Sequence, residues 1–135
     1  MSADQTLKIA RQLIAAIGTE EPLETIASLF DDEVVVEFPG DVGALPWIGR
    51  KVGRAAITQF IGDSRSLIAR DEFAVQDFLS SDTRAAVVGT LTVRVLATGR
   101  FIRSPFVILL TVSDGAITQF LMLEDSFAVS RAARP

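Results

Sequence analysis

The spacing of hydrophobic residues changes along the chain, from a helical period in the first half to a strand period in the second. Apolar residues at i, i+3, i+4 and i+7 mark one face of a helix, and this pattern occurs in segments 7–17, 23–30 and 53–63. Between the last two, the β-branched run Glu33 to Phe38 predicts a short strand that stops at Pro39-Gly40. The first half therefore predicts three helices, one strand and a Gly- and Pro-rich loop.

From Asp71 onward, runs of Val, Ile, Leu and Phe alternate with turn sequences. They predict four strands, at 73–79, 85–98, 101–112 and 116–127. Helices followed by an antiparallel meander are typical of α+β folds, in which the helices gather on one face of the sheet. Because long strands twist and curl, we expect a cone-shaped, mostly antiparallel sheet, wrapped by about three N-terminal helices and enclosing an apolar pocket.

Length and composition indicate one globular domain, residues 1–135. The chain is 49% hydrophobic and 22% charged, an ordinary balance for a folded domain. Its net charge of −4 and the absence of a basic stripe argue against a nucleic-acid partner. Because neither a leader sequence nor a long apolar segment is present, we expect a cytoplasmic protein that is not inserted in a membrane. The convex face of the sheet would expose Val and Leu, which predicts a homodimer through that face.

Three missing residue types limit the chemistry. The chain has no Cys, no His and no Tyr. A Ser-His-Asp or Cys-His nucleophile system therefore cannot form within it, and no phenol can polarise a carbonyl group. A zinc site would depend on carboxylates alone, so no metal site is expected.

The sharpest chemical clue is the acidic pair Glu124-Asp125 at the end of the last predicted strand. Side chains alternate along a strand, so that Asp125 shares a face with several apolar residues. The residues of that face are Ile117, Gln119, Leu121, Leu123 and Asp125. If it is the interior face, loss of solvent would raise the pKa of Asp125 and suit it to proton transfer. Alternatively, Asp125 caps a C-terminal helix over 126–133.

Other candidate residues each allow two interpretations. Trp47, in the Gly- and Pro-rich loop, fits either a lid over the pocket or a plug packed into the core. Arg50 and Arg54 either bind a ligand carboxylate or form surface ion pairs. Arg94 interrupts an apolar strand, and its parity with two threonines favours an exposed or interface position over a place in the pocket.

Three stretches, in this order, carry a family resemblance: LFDDEVVVEFPG, PWIGRKVGRAAITQFI and ATGRFIRSPFVILLTVSDGAITQFLMLEDSFAV. Together they resemble the SnoaL-like branch of the nuclear transport factor 2-like superfamily, the group that also contains ketosteroid isomerases. The resemblance covers nearly the whole chain. It implies an α+β cone, usually dimeric, with a deep cavity and no obligatory cofactor.

The resemblance also implies roles for individual positions. Asp125 lies where SnoaL-like cyclases carry their acid/base aspartate. Phe38 occupies the position of the proton-shuttling aspartate of ketosteroid isomerases, whose oxyanion tyrosine has no counterpart here. Ile108 stands where many relatives have a histidine, and Leu121 and Leu123 replace the Arg and Tyr of an Arg-x-Tyr-x-Asp pattern. The pocket is therefore expected to be more apolar than in most relatives.

Two functions of different class follow from these observations. The first is a cofactor-independent isomerase, hydrolase or polyketide cyclase-like enzyme, in which Asp125 moves a proton on a small apolar substrate. The residues expected to bind that substrate are Phe38, Trp47, Ile108, Leu121 and Leu123. The second is a ligand-binding or dimerisation module of the same fold, in which Asp125 serves only as a cap. One fold can host both functions.

Overall fold

A computed structural model describes residues 1–135 and contains four helices and six strands. The helices are α1 (Ala3–Gly18), α2 (Leu23–Ala27), α3 (Arg54–Leu67) and α4 (Ser126–Ala133). The strands are β1 (Phe30–Phe38), β2 (Gly49–Val52), β3 (Ile68–Ser80), β4 (Arg84–Val95), β5 (Phe101–Ser113) and β6 (Ala116–Glu124). None of the helices has the length and apolar character needed to cross a lipid bilayer.

All six strands form a single curved sheet that is not closed into a barrel. Its order is β2-β1-β6-β5-β4-β3, and every neighbouring pair is antiparallel except β1 and β6. The α+β class, the mostly antiparallel curved sheet and the three N-terminal helices are confirmed. Strand β2 lies in a segment predicted to be a loop, because its four residues show almost no burial pattern.

Helix α1 is fixed at its start by reciprocal hydrogen bonds and along its length by burial. The backbone N–H of Gln5 donates to Ser2 Oγ (3.2 Å), and the Ser2 N–H donates to Gln5 Oε1 (2.8 Å), which is a capping box. Thr6 Oγ1 donates to the carbonyl oxygen of Asp82 at 2.9 Å, joining the helix to the β3–β4 turn. Ala10 and Leu13 are fully buried. The helix therefore covers the sheet through its apolar face.

Helix α3 is tied to the opposite end of the sheet by Arg54. Its Nε donates to the carbonyl oxygen of Phe30 (2.8 Å), and its Nη1 lies 2.8 Å from Asp32 Oδ1. Gly53, just before the helix, has φ = 108°, a conformation that favours glycine. Of the two interpretations of Arg54, the ion pair is the one that the structure contains.

Two features of the strands beside β4 go with the curvature of the sheet, namely irregular pairing with β3 and close packing against β5. Strand β3 has two irregularities in its pairing with β4, next to Arg70 and next to Val75. At Gly89 in β4, an added Cβ would lie 2.8 Å from Phe106 Cζ and would collide with the Ala74 carbonyl oxygen. The Phe106 ring thus occupies space that only glycine leaves free, and it stacks on Phe73 with ring centroids 4.7 Å apart.

Candidate functional site

A cavity of about 140 Å³ lies between the concave face of the sheet and helices α1 and α3. Of its 21 lining residues, 15 are hydrophobic, so it offers mainly dispersion contacts to an occupant. An apolar cavity of about 150 Å³ can hold one benzene molecule. This cavity is therefore large enough for a group about the size of one six-membered ring.

Aromatic rings form one wall of the cavity. The ring centroid of Phe60 lies 4.6 Å from that of Phe38 and 5.5 Å from that of Trp47, which meets it edge-on. Phe120 completes the group, with its centroid 5.7 Å from that of Phe38. Trp47 is buried and also lines the cavity, so it packs in the core and closes this side at once. The structure therefore agrees with the interpretation of Trp47 as a plug packed into the core and not as a lid.

Three of the residues predicted to bind a ligand lie in the cavity wall. Phe38, at the end of β1, Trp47, in the loop before β2, and Ile108, in the middle of β5, all face the cavity and are all nearly inaccessible to solvent. Each is apolar, as the resemblance implied. They give the cavity its shape but no group that can move a proton.

Glu124 supplies the acidic group of the cavity. It is the last residue of β6, and it follows Phe120 and Met122 on the same face of the strand. Burial raises the pKa of the Glu124 carboxyl from 4.5 to about 7, because the charged form loses solvent. Neither of the two salt bridges of the chain involves it. At neutral pH the group is therefore close to half protonated and able to give or take a proton.

The face of β6 that lines the cavity carries Phe120, Met122 and Glu124, and not the set from Ile117 to Asp125 that alternation along the strand predicted. The structure places Leu121, Leu123 and Asp125 outside the cavity, and Leu123 is 39% exposed. The physical reason is an irregularity in the pairing of β5 with β6: Val112 pairs with Ile117, but the preceding Thr111 pairs with Gln119. The extra residue shifts the alternation by one position. Ile117 is therefore buried, but the odd-numbered residues that follow the irregularity point away from the cavity.

Asp125 begins helix α4. Its Oδ1 accepts a hydrogen bond from the N–H of Ala128 at 3.0 Å, which is the geometry of a helix N-cap. Its own N–H donates to Ser104 Oγ at 2.8 Å. The capping interpretation is confirmed, and the side chain is exposed. Ser104 is itself buried, so its hydroxyl fixes the peptide unit that joins Glu124 to Asp125.

The most exposed lining residues mark the mouth of the cavity. They are Gly18 at the end of α1, Glu20 just after it, Arg65 near the end of α3 and Arg70 near the start of β3. Arg65 Nη2 donates to the carbonyl oxygen of Glu21 at 3.1 Å. The Arg70 guanidinium carbon lies 5.4 Å from the centroid of the Phe73 ring. The mouth therefore carries two arginines close to an apolar interior.

Sequence reasoning missed Glu124, Arg65 and Arg70 as site residues. The sequence does place Glu124 on one strand face with Phe120 and Met122. The opposite face is equally apolar, so alternation alone could not show which face is interior. The two arginines fall between the helical pattern that ends at residue 63 and the strand predicted from residue 73, where no periodicity assigns a face. Arg94 is exposed, as its parity indicated, and it pairs with Phe101 of β5.

No group of three or more acidic side chains converges to hold a metal ion.

Comparisons with known proteins agree with this architecture. A family model described as a SnoaL-like domain matches residues 10–120. A nuclear transport factor 2-like protein from Burkholderia xenovorans LB400 is 23% identical with a TM-score of 0.89, and 99% of each chain is covered. A nuclear transport factor 2-like protein of unknown function from Burkholderia pseudomallei K96243 is 22% identical with a TM-score of 0.85, over 100% of each chain.

A third similar structure is TerC co-crystallised with polyporic acid. It is 22% identical with a TM-score of 0.79, over 97% of this chain and 99% of TerC. No curated protein matches the sequence significantly.

Proposed function

Because the chain belongs to the SnoaL-like domain family, we propose that it is an isomerase-type enzyme that needs no cofactor and moves a proton on a small apolar substrate. In this proposal the acid/base is Glu124. The observation that carries the proposal is the carboxyl group of Glu124, which lines an apolar cavity and has a pKa of about 7. The other acidic lining residue, Glu20, is exposed at the mouth. A carboxylate with the pKa of Glu124 is a stronger base than an ordinary carboxylate and is still available in its charged form at neutral pH, which is the combination that general-base catalysis favours.

The cavity suits a substrate with a ring-sized apolar part. Its aromatic wall of Phe38, Phe60 and Phe120 would hold such a group by dispersion contacts and exclude water from the carboxyl group. Exclusion of water strengthens electrostatic interactions inside a site. The similar structure TerC was co-crystallised with polyporic acid, which supports a small-molecule ligand for a cavity of this fold.

Proton exchange on simple ring ketones tests the proposal. Wild-type protein is expected to speed the exchange of the α-hydrogens of cyclohexanone in D₂O, measured by NMR, with a rate that rises as Glu124 loses its proton near pH 7. Glu124→Gln should lose the exchange and still bind the ketone. Asp125→Asn is the matched control, because it removes the adjacent carboxylate and keeps a capping side chain.

Equal exchange rates for wild-type protein and Glu124→Gln would refute the role of Glu124. Loss of exchange in Asp125→Asn alone would assign the acid/base to Asp125 instead. Binding of the ketone without any exchange by wild-type protein would favour the alternative function, a ligand-binding module of the same fold.

We also propose a homodimer through the convex face of the sheet. Val88, Val107 and Leu123 are neighbours across strands β4, β5 and β6, and Leu109 and Leu121 form the next pair. Each is at least partly exposed in the single chain. A continuous apolar patch of this kind is uncommon on the surface of a monomer, and a second copy of the same face would cover it.

Sedimentation at micromolar concentration tests the dimer. Wild-type protein is expected to sediment with twice the mass of the 14.6 kDa chain, and Leu123→Lys to sediment as a monomer. Val42→Lys is the matched control, because Val42 is also an exposed apolar residue but lies in the loop before β2. A wild-type mass of one chain would refute this proposal.

A further inference from the structure

The two arginines at the mouth of the cavity have no acidic partner. The salt bridges of the chain join Arg54 to Asp32 and Arg134 to Asp41, and neither Arg65 nor Arg70 takes part in one. The chain carries 17 acidic and 13 basic residues, so acidic partners are plentiful. Glu20 is the one acidic residue of the mouth. The mouth therefore has an excess of positive charge in a protein that is negative overall.

Arg70 is the better placed of the two to bind a ligand. The Arg65 side chain already donates to the backbone of Glu21, whereas the Arg70 side chain donates no hydrogen bond within the chain. Its strand position is fixed by pairing with Val93 of β4, and its guanidinium group lies over the Phe73 ring that lines the cavity. A contact of this kind restrains the side chain. The guanidinium fork is thus held at the entrance with its donors unused.

Guanidinium groups recognise planar oxyanions. The paired N–H donors of arginine match the two oxygens of a carboxylate, and the cation does not lose its proton at physiological pH. Beyond Arg70 the cavity lining is mostly apolar. It includes Glu124 on β6, which is separated from β3 by the two strands β5 and β4. A ligand that satisfies both regions has a charged end at the mouth and an apolar body inside.

We infer that the substrate is an apolar, ring-sized compound with a carboxylate group, and that Arg70 binds this carboxylate at the mouth while the apolar body enters the cavity. The inference rests on the proposed function, since it concerns the substrate of the same cavity. It adds a specificity-determining residue and places the charged end of the substrate away from Glu124. The C–H bond of the substrate that breaks when Glu124 removes the proton is then remote from the carboxylate.

A matched pair of ligands tests the inference. The probes are 3-phenylpropionate and its neutral amide, 3-phenylpropanamide, with affinities measured by titration calorimetry. Wild-type protein is expected to bind the acid about tenfold more tightly than the amide, and added salt should weaken binding of the acid only. Arg70→Gln should lower the affinity for the acid to that for the amide and leave the amide unchanged.

Three further variants make the test specific. Arg50→Gln removes an exposed arginine that does not line the cavity, and it should keep the preference for the acid. Arg70→Lys keeps the charge but not the fork, and it should keep part of the preference. Arg65→Gln should have the smaller effect of the two mouth variants. Thermal melting checks that each variant is folded.

Equal binding of the acid and the amide by wild-type protein would overturn the inference, and so would an unchanged preference in Arg70→Gln. In either case the exchange of ring ketones by Glu124 would still stand as the proposed function. Failure of wild-type protein to bind either probe would overturn the inference together with the use of this cavity for ring-sized substrates.

Discussion

The carboxyl groups of Glu124 and Asp125, adjacent in the sequence, serve two different parts of the structure. Glu124 is the last residue on the face of β6 that lines the cavity, and burial raises its pKa to about 7. Asp125 accepts the N–H of Ala128 and starts α4 outside the cavity. The two acids can therefore be separated experimentally, because one controls a titration in an apolar site and the other controls the stability of a helix.

Asp125→Ala is expected to lower the free energy of unfolding by about 1 kcal/mol, the usual cost of removing a helix N-cap. The reason is that the N–H of Ala128 loses its acceptor. The measurement is chemical denaturation at pH 7. Asp125→Ser and Asp125→Asn are the controls, since both residues are good caps, and each should keep most of the stability. If Asp125→Asn were as unstable as Asp125→Ala, the capping hydrogen bond would not be the cause.

The second prediction concerns the pH dependence of folding that Glu124 causes. Its pKa is higher in the folded chain than the ordinary value of 4.5, so the folded state holds the proton more tightly than the unfolded state. The stabilising effect of the protonated group is complete below pH 4.5. It is lost as the pH rises from 4.5 to about 7, and the loss amounts to about 3 kcal/mol at most.

A comparison of wild-type protein with Glu124→Gln isolates this effect, because other carboxyl groups contribute equally to both. Relative to Glu124→Gln, wild-type protein should lose stability between pH 4.5 and pH 7 and show no further change above that range. Urea denaturation across pH 4 to 9 gives the difference. Glu33→Gln, at an exposed position of β1, should follow wild-type protein. A constant difference between wild-type protein and Glu124→Gln would contradict the raised pKa.

The elements with strong periodicity were predictable from the sequence. The apolar face of α1 and the long runs of β4 and β5 alternate as a helix and as strands should, and tertiary packing did not override them. Strand β2 was missed because its residues are mostly exposed and pair only with β1 at the edge of the sheet. Strand β3 begins at Ile68, earlier than predicted, because its first residues are largely exposed and pair with the end of β4.

The candidate site was less predictable than the fold. The inward face of β6 depends on one irregularity opposite Thr111 and Val112, and a period of two along a single strand cannot reveal it. Phe38 and Ile108 were identified from the positions that the family resemblance implied, and Trp47 because large aromatic side chains are mostly buried. The arginines of the mouth depend on where α3 ends against β3, which is a tertiary relationship.

The third prediction concerns the loop that carries Trp47. Asp41, near the start of that loop, accepts hydrogen bonds from Ser130 Oγ (2.7 Å) and from Arg134 Nε and Nη2 (3.0 and 3.1 Å). These contacts lower the pKa of the Asp41 carboxyl to about 2. Asp41→Asn or Arg134→Gln should loosen the loop, expose Trp47 and shift its fluorescence to longer wavelength. Trp47 is the sole tryptophan, so the signal is unambiguous.

The pH dependence of the same contact has the opposite sign from that of Glu124. Because the folded pKa of Asp41 is lowered, its contribution to stability is complete above about pH 4 and is lost as the pH falls toward 2. The Trp47 emission of wild-type protein should therefore shift at acid pH, and that of Asp41→Asn should already be shifted at pH 7. Arg131→Gln is the control, because Arg131 lies in α4 beside Ser130 but makes no contact with Asp41. Unchanged emission in both Asp41→Asn and Arg134→Gln would show that the loop is held by its apolar residues alone.

The last prediction concerns Gly89, where β4 passes under the Phe106 ring. Gly89→Ala places a methyl group 2.8 Å from Phe106 Cζ and against the Ala74 carbonyl oxygen, so both a side chain and the backbone of β3 must move. Overpacking of this kind costs typically 1–3 kcal/mol, and the backbone contact places the expected loss at about 3 kcal/mol or more. Urea denaturation measures this loss.

Adding Phe106→Leu to Gly89→Ala should recover only part of the loss, because the smaller side chain removes the contact with the ring and leaves the Ala74 carbonyl oxygen in place. Gly18→Ala is the control, since nothing lies within 4 Å of its added Cβ, and it should not be destabilised. Full recovery in the double variant would show that the ring alone requires glycine at position 89, and a loss below about 1 kcal/mol in Gly89→Ala would show that β3 yields easily at its irregularity beside Val75.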